Sequence, residues 1–427
     1  MPALHAALVI SRELRTRPAF AAANRVLAWA SSAFLFLAAF ASSAGLRATA
    51  LLLCAIALCV HWRESARLLR EAFPRDVAAA GLAWIAICAA SVAWSIDRPY
   101  SLGELKPELL YGAMAFAVFF LAAAEDPSLW PRWWIAAMAG GIAAFAAQGA
   151  QDVLPFEISR HDVDAGSGPF STHLVLLLPL LFALDWPPPW GRGHRPRLLL
   201  LALCLILAAA WYTGNRIVWL AFATQLAVGA ATWRQLPQPR AAGTQALHRL
   251  ALVAIIAVGV AFAASVAERN ERNLLHDTGV PPGLEHDLRP RIWAVAWEKY
   301  LEAPWIGHGF GREVLAPAFL PLTPAGVHHP ALRHGHNTFI DIALEVGIVG
   351  LAAFVALLAA LARRYRAMLG DPAAAPLGMI GLALIAGFVV KNLTDDFLHR
   401  HNALVFWALN AMLLGLASRA AGGRKSG

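Results

Sequence analysis

The chain has 427 residues, 59% of them hydrophobic and 15% charged, with a mean hydropathy of +0.56. That composition excludes a soluble globular protein. The formal charge of +8 has no soluble basic domain to occupy, which excludes nucleic-acid binding and leaves membrane topology as its explanation.

Along the chain, a basic and polar segment (1–25) containing Pro18 comes first. Apolar runs able to cross a bilayer then recur near 26–44, 47–61, 77–94, 108–124, 132–151, 170–186, 197–213, 216–233, 249–267, 338–362, 376–393 and 402–418. These runs are continuous and do not alternate with period two, which predicts helices. The expected fold class is an all-α polytopic membrane protein of about 12 transmembrane helices, the second being the shortest. AFASSAG, after the first run, has the small residues of a signal-peptide cleavage site, but a multi-span chain keeps its first helix as an anchor. All four cysteines (Cys54, Cys59, Cys88 and Cys204) fall inside predicted spans and read as small apolar residues, with no CxxC and no disulfide framework.

With the N-terminus inside, Arg63, Arg67, Arg70 and Arg75, then Arg192, Arg195 and Arg197, then Arg363, Arg364 and Arg366, all fall on the cytoplasmic side, as the positive-inside rule requires. The expected division is a cytoplasmic segment 1–25, spans one to nine within 26–267, a large extracytoplasmic loop 268–337, spans ten to twelve within 338–418, and a cytoplasmic tail 419–427. The unusual polar segments then share the outer face: 95–107, 152–169, the TGNR turn at 213–216, the long loop, and TDDFLHRH at 394–401. The cytoplasmic connections are short, basic linkers.

A loop of the length of 268–337 is expected to carry structure of its own. Within it, DLRPRIWAVAWEKYLEAPWIGHGFG predicts a helix that Asp287 caps and Pro290 opens. Ile292, Trp293, Val295, Ala296, Trp297 and Tyr300 form its apolar face, and Pro304 with Gly307, Gly309 and Gly311 ends it. Its aromatic content suits a lid or platform against the bundle or in the membrane interface.

Several residues carry candidate chemistry. Arg216 enters a span directly after a tight turn, which holds it near the bundle; the plain alternative is a side chain reaching for head groups. Arg291 opens the loop helix, where a cation opposes the macrodipole unless an anion sits there too. Two arginines grip a diphosphate through forked hydrogen bonds. Arg289, beside Arg291, has solvation as its plain reading. Lys106 and Arg160 are single cations on the same face.

His328, His329, His334 and His336 crowd into nine residues. They support two readings: metal ligands, with the DVD run at 162–164 as a second cation site, or a single general base. Neither group has the spacing of a helical metal motif. His336, immediately before Asn337 and the next span, is the best-placed base, and the other three read as loop residues. Asp395 and Asp396 could orient a histidine or an incoming hydroxyl, or pair with Arg400.

Three segments, TGNRIVWL, RPRIWAVAWEKYLEAPWIGHGFG and HNTFIDIALEVGIVG, resemble the bacterial O-antigen ligase family, within the superfamily that includes the O-antigen polymerases. The likeness runs over about residues 80–415, though only these segments are specific, and Asn215 stands where a serine is as common. The resemblance implies a membrane-embedded glycosyltransferase architecture of the GT-C kind in the bacterial inner membrane, with its active site facing the periplasm. It implies transfer of O-antigen polysaccharide from undecaprenyl diphosphate to the core sugar of lipid A–core, with inversion and without a metal or other cofactor. Matched residue by residue, it makes His336 the general base and Arg216 and Arg291 the diphosphate grip, to which Lys106 is added as a third cation. The rival readings are an O-antigen polymerase or a protein O-oligosaccharyltransferase of the same superfamily. An anion or lipid transporter is the rival from another class, but polar residues gathered at one face and the absence of paired broken segments argue against it.

Overall fold

The computed structural model describes residues 18–153, 167–185, 195–235, 256–264, 289–322, 333–396 and 398–422. Among the described residues every regular element is a helix and none is a strand. In chain order the helices are α1 (Pro18–Leu37), α2 (Ala44–Val60), α3 (Trp62–Glu71), α4 (Arg75–Ser91), α5 (Arg98–Glu104) and α6 (Tyr111–Glu125), followed by α7 (Trp130–Val153) and α8 (Ser167–Leu177). After these come α9 (Arg195–Tyr212), α10 (Ile217–Trp233), α11 (256–264), α12 (Arg289–Glu302), α13 (Ala316–Phe319), α14 (Thr338–Met368), α15 (Ala375–Lys391) and α16 (Arg400–Gly422).

Local chemistry explains many of the boundaries. Pro74 disfavours the helical region for its predecessor and stands at the N-cap of α4. Asp97 caps α5 by accepting from the Tyr100 amide at 3.0 Å. A π turn, Leu105–Leu110, contains Pro107 and joins α5 to α6. Asn337 caps α14, its Oδ1 accepting from the amides of Phe339 (2.9 Å) and Ile340 (3.2 Å).

Among the described residues, five helical stretches are long and apolar enough to cross a membrane: Phe20–Leu37, Ala41–Val60, Arg98–Glu125, Thr338–Met368 and Arg400–Arg419. The bent pair α3–α4 makes a sixth if counted as one span. The apolar helices Leu198–Tyr212, Ile217–Trp233 and Ala375–Lys391 are shorter. At 1.5 Å per residue, 17 residues reach only about 25 Å, below the roughly 30 Å of a hydrocarbon core. An all-α membrane protein is therefore what the helices support, while the expected count of twelve crossings goes beyond what helix length establishes.

The chain forms two compact units. One comprises Met1–Phe73, Gly112–Ala165 and Leu404–Gly427. In it α1 packs on α2 and α7. Gly140 lets α7 lie directly on the backbone at Phe36, where a Cβ would collide with the carbonyl. Trp133 adds a hydrogen bond to Ser31 Oγ (2.7 Å), and Phe34, Phe119 and Trp133 form an aromatic core.

The other unit comprises Pro74–Tyr111 and Gly166–Ala403 and holds every candidate residue that the structure describes. Here α15 packs against α10 and α14, and α14 against α4. Gln225 of α10 crosses to the Val175 carbonyl (2.7 Å), and Gly387 of α15 leaves room for its side chain. A satellite core of Ile292, Ala296, Val314, Leu315, Phe319 and Leu344 fastens α12 onto α14. Each of these side chains larger than alanine, once buried, contributes about 1.5–3 kcal/mol. Trp293, Val295 and Tyr300 pack on this core as the apolar face predicted, but Trp297 does not and is 60% exposed. Asp287 lies outside the described residues.

Candidate active site

The site is organised by the turn after α15, residues 392–396, which receives side chains from three directions. Gly214, with φ +62°, ends α9 in the left-handed conformation that glycine adopts without strain. Thr213 Oγ1 then accepts from the Asn215 amide (3.3 Å), closing the TGNR turn. Asn215 Nδ2 donates to Asp395 Oδ2 at 3.2 Å, so the residue beside Arg216 is moored to the turn. Arg216 is half-buried at the start of α10.

The loop helix arrives from a second side. Arg289 Nε donates to the Thr394 carbonyl (2.9 Å), and its Nη2 lies 3.4 Å from Asp395 Oδ1. Arg291, two residues on, is exposed. Arg289 is thus a mooring and not the solvated neighbour its sequence context predicts.

α14 arrives from the third. Asn337 Nδ2 donates to the Leu393 carbonyl (2.7 Å), and the Thr338 amide faces the carbonyls of Asn392 (3.1 Å) and Asp395 (3.2 Å). Asp395 is fully engaged here, because the buried Lys391 also donates to its Oδ2. The Asp395–Asp396 pair therefore binds partners other than Arg400. Arg400 instead pairs with Glu104 (2.9 Å), while its amide donates to Glu108 and His399 Nδ1 lies 2.9 Å from Glu108 Oε1. Lys106, on the π turn between these two glutamates, is exposed, with its Nζ 5.7 Å from the Tyr111 ring centre.

His336 sits directly before the α14 cap with φ +51°. A non-glycine residue in that region carries about 1–3 kcal/mol of strain, and such strain concentrates at functional positions. His336 is half-buried; its amide donates to His334 Nδ1 (3.2 Å) and the two rings lie 4.2 Å apart. His334, read from sequence as a loop residue, is buried. Its Nδ1 lies 3.5 Å from Asp341 Oδ2 and 3.9 Å from Asp396 Oδ2. His328, His329, Arg160 and the DVD run fall outside the described residues.

Protons occupy this pocket in a definable way. Burial first, then the neighbouring Arg312 guanidinium, push His334 down to about 4, so it is neutral near pH 7 with Nδ1 free to accept. Burial, then Asp341, push the Asp396 carboxyl up. Asn392 Nδ2 donates to the Phe388 carbonyl, which turns its Oδ1 toward Thr338 (2.9 Å), and the Thr338 hydroxyl lies as close to Asp396 Oδ1 (2.9 Å).

Among the described residues, two clusters have three potential ligand atoms within 4.8 Å of one another: His334, Asp341 and Asp396, and Glu104, Glu108 and His399. In the first, the His336 amide already uses the Nδ1 lone pair, and Arg312 Nε stands 3.7 Å from Asp396 Oδ2. In the second, Arg400 and His399 already engage both carboxylates. Both arrangements suit protons and ion pairs better than a divalent cation.

Sequence reasoning missed His334, Arg312, Asp341 and Lys391. A carboxylate one turn into an apolar helix was the available signal for Asp341, since buried charge inside a span is expensive without a partner.

The segments that carry Arg216, Arg291 and His336 are thus moored to one polar turn through their neighbours Asn215, Arg289 and Asn337. Residues 198–355 match the family model described as O-Antigen ligase, a range that includes Arg216, Arg291 and His336 but not Lys106, Asp395 or Asp396. An O-antigen ligase of Pseudomonas aeruginosa is 27% identical over 307 residues, covering 69% of this chain and 66% of the relative, just under two thirds of its length. Both findings make the chain similar to O-antigen ligases, the likeness falling on the segments that carry Arg216, Arg291 and His336.

Proposed function

We propose that this protein transfers O-antigen polysaccharide from undecaprenyl diphosphate to the core sugar of lipid A–core, at the periplasmic face of the bacterial inner membrane. The observation that carries the reading is the convergence on the 392–396 turn of the three segments bearing Arg216, Arg291 and His336.

In this mechanism Arg216 and Arg291, with Lys106 as a further cation, hold the diphosphate and stabilise the charge that develops as the glycosidic bond breaks. His336 removes the proton from the acceptor hydroxyl while that oxygen attacks the anomeric carbon from the opposite face, inverting it. Diphosphate leaves without a general acid, and the arginines take the place of a metal. Membrane lipids surround the site, which suits two amphiphilic substrates.

The test is the lipopolysaccharide banding pattern of a deletion strain complemented with wild type or with His336→Ala. Wild type should restore long O-antigen, and His336→Ala should give bare core at equal membrane abundance. Ligation by His336→Ala would remove the base role. Transfer should survive chelator, whereas a loss reversed by Mg²⁺ or Mn²⁺ would overturn the metal-free reading. Cores capped by a single repeat in the deletion strain would point to a polymerase instead.

A further inference from the structure

The left-handed backbone of His336 needs something to hold it, and the Asn337 cap immobilises only the residues on its C-terminal side. On the preceding side, Gly335 is gripped twice: its amide donates to Asp341 Oδ1 (2.5 Å) and its carbonyl accepts from Trp293 Nε1 (2.9 Å). His336 itself is gripped by His334, whose Nδ1 accepts from its amide and whose ring lies 4.2 Å from its ring at 42°. The same Nδ1 edge of the His334 ring faces Asp341 Oδ2 (3.5 Å) and Asp396 Oδ2 (3.9 Å), and the residue is 8% exposed.

We propose that His334 is a positioning residue for the transfer reaction: its imidazole holds the His336 backbone in the strained conformation and sets the orientation of the His336 ring. The proposal rests on His336 being the base. A buried histidine that only filled space would do neither, and an apolar ring of similar size would replace it. The accepting nitrogen separates the two roles, because the Oδ1 of an asparagine occupies nearly the place of Nδ1 and accepts from the same amide. Misplacement of a reacting group by about 1 Å costs on the order of 10²-fold in rate.

The experiment uses the full-length protein in detergent, with undecaprenyl-diphosphate-linked O-antigen as donor and O-antigen-free lipopolysaccharide as acceptor. His334→Phe keeps a ring and removes the acceptor. It should lower turnover about tenfold or more with the donor KM unchanged, within the range that misplacement produces. His334→Asn should retain most of the wild-type rate. If His334→Phe does not accumulate as folded protein, His334→Ala replaces it, and added imidazole should restore transfer. Wild-type turnover in His334→Phe, or equal impairment of Phe and Asn variants through a raised KM or lost folded yield, overturns the proposal. Activity in His336→Ala would instead strike the base assignment, so the two failures are told apart.

Discussion

Replacing Asp395 by asparagine tests how the site is fastened. Asp395 is 5% exposed and meets the fully buried Lys391, Arg289 and Asn215. The amide preserves shape but leaves the Lys391 ammonium buried without its carboxylate, and breaking a buried pair in this way costs about 3–5 kcal/mol. The Arg289 contact adds at most about 1 kcal/mol, because that side chain is 30% exposed and screened by solvent. At roughly 2 °C per kcal/mol for a large chain, the midpoint for loss of monodisperse protein in detergent should fall by about 6–10 °C. Lys391→Met combined with Asp395→Asn removes both charges and should recover most of that loss. Transfer should stay below wild type in the double variant, since a carboxamide leaves one accepting oxygen where Arg289 and Asn215 had two, although Arg289 keeps its bond to the Thr394 carbonyl. A double variant no more stable than the single one would falsify the assignment of the penalty to an unpaired buried lysine.

Gly347→Ala should reduce folded yield sharply, because its φ of +68° and ψ of −172° suit glycine alone and a Cβ there would strike the Trp305 backbone; purification at wild-type yield would refute this. His336→Gly should raise the melting midpoint slightly, by relief of about 1 kcal/mol of left-handed strain, while abolishing transfer. An unchanged or lowered midpoint would show that the strain is not stored there. The folded pKa of His334, about 4, lies below that of a free imidazole, so the unfolded chain protonates first as pH falls. The His334 contribution is therefore complete above roughly pH 6.5 and is lost progressively down to about pH 4. Asp396, shifted upward, opposes this trend, so the measurement is the midpoint of wild type relative to His334→Asn across that window. A constant difference would refute the buried neutral imidazole.

Helix positions were readable because apolar runs and capping signals are local. The expected runs at 338–362 and 376–393 fall on α14 and α15, and Pro74, Gly214 and Asn337 mark boundaries visible in the sequence. Span number was less readable, since hydropathy registers an apolar run of fifteen to seventeen residues much as it does one long enough to cross. The loop helix was found with its correct buried positions Ile292 and Ala296, while Trp297 of the same apolar face is exposed and stacks on Tyr300. In the site, Arg289 and His334 were set aside because their partners, Asp395 and Asp341, become neighbours only through folding. Spacing along a chain carries no trace of a contact between residues 289 and 395.

The interruption at Gly347 also bears on bilayer thickness. Unbroken, the 31 residues of α14 would extend about 46 Å, overshooting the roughly 30 Å hydrocarbon slab. The break divides them: 348–368 supplies 21 residues, about 31 Å, while 338–346 forms a short cap carrying Asp341 and Glu345. Across the break, the Ile348 amide turns to the Pro304 carbonyl and the amides of His308 and Gly309 turn to the carbonyls of Leu344 and Glu345. Interrupted helix hydrogen bonds are thus remade by the 304–309 segment. A single glycine divides α14 into one segment about as long as a hydrocarbon core is thick and a shorter polar one that begins just after His336 and its neighbour Asn337.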